Sequence, residues 1–259
     1  MMMAVTSRSN EKLKITRKLR SSRDIRRYGL FLMEGPRFVT DRLEAGTVPL
    51  WTILSEEAGK NAVITASEVE AAGGEVLVIP REIFGGLADT ETSQGLMAVF
   101  RLPELRIRPG RTVLILDGVS DPGNVGTLIR SAAAFGCGGV VTGKNTAFPF
   151  APKVTRASAG LNAALPIEYD VDLPAMVREN GLNLEFVGMD PKGDDPETLN
   201  GLERPPGIVV GSEARGISRE VGSLFDRRVA IPMAPGVESL NAAVSGSILL
   251  FYVYRSSRN

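Results

Sequence analysis

Residues 112–136 read TVLILDGVSDPGNVGTLIRSAAAFG: an aliphatic strand, a short polar loop and an amphipathic helix in immediate succession. Asp121 suits the N-cap and Pro122 the first helical position. Val125, Leu128, Ile129, Ala132 and Ala133 then make one apolar stripe at helical spacing. Asn124 falls in the first turn, where a side-chain amide can reach a ligand at the helix mouth. Arg130 shares a row with Gly126 and Ala134, small neighbours that let the guanidinium lean along the helix. Taken singly, Asn124 reads as a second turn residue and Arg130 as half of a rim salt bridge. The surrounding pattern gives them more weight. GVVTG (139–143), LEFVGMD (184–190), GIVVGS (207–212) and RRVAIPM (227–233) are further β-rich runs next to helical stretches, so the expected fold class is α/β with a mainly parallel sheet.

Ligands of open α/β sheets bind at the loops after the carboxyl ends of strands. Two more such loops stand out. GSEARGIS (211–218) carries glycines at 211 and 216, which allow close backbone approach or positive φ around Glu213. In IPMAPGVESLNAAVSGS (231–247), Pro232, Pro235 and Gly236 exclude regular structure until Glu238 or Ser239. The expected N-cap there is Ser239, with Asn241 inside the first turn of a helix rich in small residues. No GxGxxG, Walker lysine pattern or GxSxG elbow occurs, which weakens dinucleotide, nucleotide-hydrolase and serine-hydrolase readings.

Upstream, helical material over 10–28 precedes strands at FLMEG (31–35), PLWTILS (49–55), EVLVIP (75–80) and LMAVF (96–100). RFVTDRLEAG, ASEVEAAGG and REIFGGLAD read as the helices between them. LPELRIRPGRT (102–112), with two prolines, a glycine and little apolar periodicity, reads as a linker. The expected division is a first domain over 1–101, a linker over 102–111 and a second domain over 112–259.

The 259 residues are 43% hydrophobic and carry 30 basic and 30 acidic side chains, so bulk charge cannot hold an acidic partner. Cutting the chain changes that. Residues 1–42 hold eleven basic side chains (Arg8, Lys12, Lys14, Arg17, Lys18, Arg20, Arg23, Arg26, Arg27, Arg37, Arg42) against four acidic ones (Glu11, Asp24, Glu34, Asp41). Residues 43–108 reverse the balance. The first segment is therefore either a solvated helix face or a polyanion-binding patch. Absence of histidine removes the Ser/His/Asp triad and histidine-based metal sites, and no metal is expected. A lone cysteine, Cys137, fits a reducing cytoplasm. The start has no apolar signal core and ILLFYVY (248–254) is far short of a membrane span, so no membrane partner is expected.

DPGNVGTLIRSAAAFG (121–136), IVVGSEARGIS (208–218) and VAIPMAPGVESLNAAVSG (229–246), in that order, resemble the three motifs of the SpoU (TrmH-type) RNA ribose 2′-O-methyltransferases of the SPOUT class. FAPKVTRASAGLNAALPI (150–167) is similar to that family's PKVxRASAG segment. FLMEGPR and LADTETSQGLMAVF resemble the small L30e-like substrate-binding domain often joined to it. The resemblance covers nearly the whole chain. It implies a C-terminal sheet threaded into a deep trefoil knot, a homodimer paired through that domain, and S-adenosylmethionine held in the knot. Carried over by motif, cofactor contacts fall on Gly211, Ile231 and Leu240, largely through backbone groups. Functional polar positions fall on Asn124, Arg130, Glu213, Ser239 and Asn241.

The implied reaction is attack of a ribose 2′-oxygen on a sulfonium methyl, which needs positioning and exclusion of water more than a strong acid. A guanidinium stays protonated in proteins, so Arg130 is expected to clamp the adjacent phosphate and stabilise developing oxygen charge. The basic N-terminal segment favours a ribosomal RNA substrate. A tRNA substrate is the alternative within the enzyme class, and a noncatalytic RNA-binding protein that keeps the fold is the alternative outside it; binding of S-adenosylmethionine separates the last from the other two.

Overall fold

The computed structural model describes residues 2–88, 93–237 and 239–257, with the side chain of Pro191 left aside. Residues 89–92, inside the LADTETSQ stretch, and Glu238 lie outside the described residues. In chain order the elements are β1 (Met3–Ala4), α1 (Glu11–Lys18), α2 (Ser22–Tyr28), β2 (Leu30–Glu34), α3 (Pro36–Glu44), β3 (Trp51–Ser55), α4 (Lys60–Ala71), β4 (Val76–Ile79), α5 (Arg81–Gly85) and β5 (Leu96–Arg101). There follow β6 (Val113–Asp117), α6 (Pro122–Ala134), β7 (Gly139–Gly143), α7 (Pro152–Ala157), β8 (Ile167–Val171), α8 (Leu173–Glu179), β9 (Glu185–Asp194), β10 (Pro206–Gly211), α9 (Arg219–Gly222), β11 (Arg227–Val229) and α10 (Ala242–Ser256).

These elements pack as two units: Met1–Leu102 with Phe150–Gly160, and Pro103–Pro149 with Leu161–Asn259. The first unit holds a mixed sheet in the order β1-β4-β3-β5-β2, with β5 antiparallel to both β3 and β2. The helical material expected over 10–28 is two helices, α1 and α2, interrupted at 19–21. Asn10 caps the first by accepting from the Lys12 and Leu13 amides. Buried Thr16 then accepts from Trp51 Nε1 at 3.1 Å, which ties the basic helix to β3.

The 150–160 segment, expected within the second domain, packs with the first unit. The reason is aromatic: Phe150 meets Phe31 of β2 edge-on with ring centroids 5.5 Å apart, and Phe31 also lies against Phe100 of β5. The stretch read as a linker also belongs elsewhere. Ile107 is buried in the core of the second unit, and the Arg108 amide donates to the Gly138 carbonyl at 3.1 Å. The first unit ends at Leu102, and residues 103–111 group with the second, although of these only Ile107 is buried.

The second unit is built on a six-stranded sheet in the order β11-β9-β10-β6-β7-β8, every pair parallel. Both faces are covered, as a parallel sheet requires. Val113 and Ile115 of β6 and Val209 of β10 face a core with α8, while Leu128 of α6 and Val210 of β10 meet α10 at Gly246. β8 and α8 escaped the sequence reading because β8 (IEYDV) is an edge strand with only Ile167 fully buried. Helix α6 forms as its sequence suggests: the Asp121 carboxylate accepts from the Asn124 amide at 2.8 Å. Gly136, at φ +67°, closes it, with the Cys137 amide donating back to Ala132.

β9 and β11 carry a feature with no sequence signature. Their register jumps from Arg228↔Gly188 to Val229↔Asp194, so residues 189–193 bulge from β9. The bulge closes where chains pass in backbone contact: a Cβ on Gly193 would lie 2.6 Å from the backbone nitrogen and carbonyl carbon of Val229. Gly193→Ala should therefore lower stability by about 2 kcal/mol, the scale of an overpacked core. A urea midpoint equal to that of the parent chain would contradict the close passage.

Candidate active site

β6 ends at Asp117 and β10 at Gly211, which are paired across the sheet, so their following loops leave from one edge. The loop after β11 leads from there into α10. Motif residues that are far apart in sequence therefore meet at the carboxyl ends of neighbouring strands.

The contacts form a chain of side chains. Asn124 donates from Nδ2 to Glu213 Oε1 and accepts at Oδ1 from Asn241 Nδ2 at 3.1 Å. Asn241 Oδ1 in turn accepts from the Ala243 and Val244 amides at 2.9 and 3.2 Å. Asn241 is thus the N-cap of α10, and the cap expected at Ser239 is displaced by two residues. Both residue types cap well; what selects Asn241 is that its amide can cap with one end and reach Asn124 with the other.

The loop bearing Glu213 is held on several sides. Ser212 and Gly216 exchange backbone hydrogen bonds at 3.0 and 2.8 Å, and Gly216 takes φ +65°. The Ser218 amide donates to Asp117 Oδ2 at 2.7 Å. A Cβ on Gly211 would fall 2.2 Å from the Gly216 carbonyl carbon. Glycine is required at 211 by the returning turn itself.

Beside this chain opens a cavity of about 490 Å³ lined by Gly211, Glu213, Ile231, Ser239, Leu240 and Asn241, six of the eight expected site residues. Asn124 stands behind it through Glu213 and Asn241. Arg130 is not among its lining residues: it is exposed on α6 and, among the described residues, has no hydrogen-bond or ion-pair partner. The lining also includes residues the sequence reading passed over, notably Met189 and Asp190 of the β9 bulge, Ile217 and Ser245. Nothing local in the sequence marked the bulge.

The described lining residues contain two carboxylates, Asp190 and Glu213, and neither lysine nor arginine. Asp190 is held below the usual carboxylate range, chiefly by the Lys192 amide, with Arg228 adding to the effect. Apolar walls from Val229, Ile231 and Leu240 complete a site suited to a compact cationic ligand with an apolar body. S-adenosylmethionine fits that description, with a sulfonium for the carboxylates and an adenosine for the walls. Cys137 lies elsewhere, buried, its thiol pushed up to about 12 by desolvation, so it offers no thiolate at neutral pH. Among the described residues no His/Cys/Asp/Glu cluster could hold a metal, and no helix is long and apolar enough to cross a membrane.

Comparison with known proteins places this geometry. Residues 111–251 match the SpoU rRNA Methylase family and residues 10–98 the MRM3-like substrate binding domain. The 23S rRNA (guanosine(2553)-2′-O)-methyltransferase RlmP of Bacillus subtilis is 29% identical over 97% of this chain and 99% of its own. The AdoMet-bound rRNA methyltransferase of Sinorhizobium meliloti superposes with a TM-score of 0.84 at 27% identity, covering 98% of each chain. The SpoU methyltransferase AviRb of Streptomyces viridochromogenes, in complex with AdoMet, gives 0.83 at 26% identity over 96% of this chain and 99% of that one. The chain belongs to the SpoU rRNA methylase family and is an S-adenosylmethionine-dependent RNA methyltransferase.

Asn124→Asp tests the side-chain chain directly, because it keeps the acceptor for Asn241 but sets a carboxylate against Glu213. At pH 7.5 cofactor affinity should fall about tenfold, the loss of one charge-assisted hydrogen bond. Like charges raise one carboxyl pKa, so a shared proton should recover affinity as the pH is lowered toward 5. Calorimetry showing parental affinity at pH 7.5, or no recovery on acidification, would contradict the arrangement.

Proposed function

We propose that the chain methylates a ribose 2′-hydroxyl of ribosomal RNA, with the first unit binding RNA and the second holding the methyl donor and carrying out transfer. The observation that carries this reading is the hydrogen-bonded chain Glu213–Asn124–Asn241 beside the cavity. It joins all three motif loops with every polar residue type in place, which favours an active enzyme over a noncatalytic RNA binder. Ribosomal rather than transfer RNA is supported by RlmP and by the family description. It is also supported by the exposed cations Arg17, Lys18, Arg23, Arg26 and Arg27 on α1 and α2.

S-adenosylmethionine supplies an electrophilic methyl group on a sulfonium. Gly211, Ile231 and Leu240 bind it through backbone groups and apolar contact, and Ser239 supplies a hydroxyl at the mouth. Glu213 and Asn241, fixed by Asn124, would orient the ribose 2′-hydroxyl toward the donor's methyl group. The 2′-proton would pass to the adjacent phosphate or to water. Arg130, a free guanidinium on α6, clamps that phosphate and stabilises the developing charge on oxygen.

The reading extends to assembly. Val244 and Phe251 of α10 are 46% and 47% exposed, and partly exposed Ile248 lies between them at helical spacing. Such an apolar stripe suits a second copy of the chain paired through this domain. The family resemblance further implies a trefoil knot in this domain. A reducing cytoplasm suits the single buried cysteine.

Arg130→Ala should reduce methyl transfer to ribosomal RNA by at least about a hundredfold, as for loss of a transition-state electrostatic contact, and leave S-adenosylmethionine affinity within about twofold. Near-parental turnover would make Arg130 a surface residue. Phe251→Glu should convert a dimer into a monomer in sedimentation velocity at micromolar concentration. A parental chain that sediments as a monomer would exclude the assembly.

A further inference from the structure

The β9 bulge sets a second carboxylate into the cavity wall, and its construction is unusually well braced. Asp190 accepts at Oδ1 from the Lys192 amide at 2.9 Å and at Oδ2 from Arg228 Nη1 at 3.3 Å. Arg228 is itself held, donating from Nη2 to the Gly222 carbonyl at 2.6 Å and lying 5.6 Å over the Phe225 ring. That ring is seated on Gly188, where a Cβ would fall 1.8 Å from its edge. Gly188, Phe225 and Arg228 thus form a continuous support whose endpoint is the orientation of Asp190. Arg228 offsets part of the charge, but Glu213 lines the same cavity, and no lysine or arginine is among the described lining residues.

The methyl donor and its product differ little in shape and by one full charge: transfer turns a sulfonium into a neutral thioether. A cavity that distinguishes them must do so electrostatically. We propose that Asp190 is a specificity-determining residue of the cofactor cavity, whose fixed carboxylate favours the sulfonium donor over the demethylated product. After transfer the attraction is lost and the product is released. The inference rests on the reading of this cavity as the cofactor site, and adds a residue outside the three motifs to it.

Isothermal calorimetry on the full-length chain tests it, with S-adenosylmethionine and S-adenosylhomocysteine titrated separately. Asp190→Asn preserves shape and one acceptor. It should weaken donor binding by roughly fivefold, the scale of a partly screened charge pair, and change product binding by less than about twofold. In the parental protein, raising salt from 0.05 to 0.5 M, which shortens the Debye length roughly threefold, should weaken the donor more than the product. That comparison needs no variant and decides the matter should Asp190→Asn fail to fold. Equal loss for both ligands in the variant, no loss for either, or parallel salt dependences would overturn the proposal. Leu240→Trp separates the two layers. If it fills the cavity both ligands should be lost; if both still bind as before, the cavity assignment itself falls, whatever Asp190 does.

Discussion

The amide of Asn124 has one donor end and one acceptor end, and both are committed. Nδ2 goes to Glu213, 89 residues downstream, and Oδ1 receives Asn241, 117 residues downstream. Neither partner can be exchanged without reversing the amide, because Glu213 only accepts and the Oδ1 of Asn241 is already used to cap α10. A single side chain therefore fixes the separation of two loops and the entry angle of the last helix. The cavity exists because those loops stand where they do. Around this amide, backbone packing does the coarse placement: Gly211 lets the 212–216 turn fold back on β10, and Asp117 fastens the turn's far end through the Ser218 amide.

Much of this was legible in the residues because their signals are local. An aliphatic strand, an Asp-Pro helix start and a periodic apolar stripe define β6 and α6 whatever surrounds them, and the glycines at 211 and 216 announce unusual backbone. Where the reading failed, the deciding interaction was distant. Ser239 and Asn241 are equally good caps by residue type, and the choice is made by Asn124. Ile107 stands in a Pro- and Arg-rich stretch with little periodicity, and only the sheet beneath it makes it a core residue. Phe150 lies between motif segments in sequence but finds Phe31 in space. Asp190 had no signal at all, since a five-residue bulge between two strands leaves no periodicity to detect.

The charge distribution has a functional logic that the net value of zero conceals. Exposed cations gather on α1 and α2 in the first unit, suited to phosphodiesters. Among the described residues, two carboxylates and no lysine or arginine line the cavity of the second, a setting suited to a sulfonium. In the function proposed above, the polyanionic and the cationic ligand are matched to different parts of the chain. Arg130 is the cation nearest in sequence to the Asn124 turn, and among the described residues it has no partner.

The most direct test of the central claim is a crystal structure of the full-length chain with S-adenosylmethionine bound. The account predicts cofactor density in the cavity walled by Gly211, Ile231 and Leu240, with the Glu213–Asn124–Asn241 hydrogen bonds intact and the methyl group facing them. Cofactor bound elsewhere, or a bound complex in which Asn124 touches neither Glu213 nor Asn241, would contradict it.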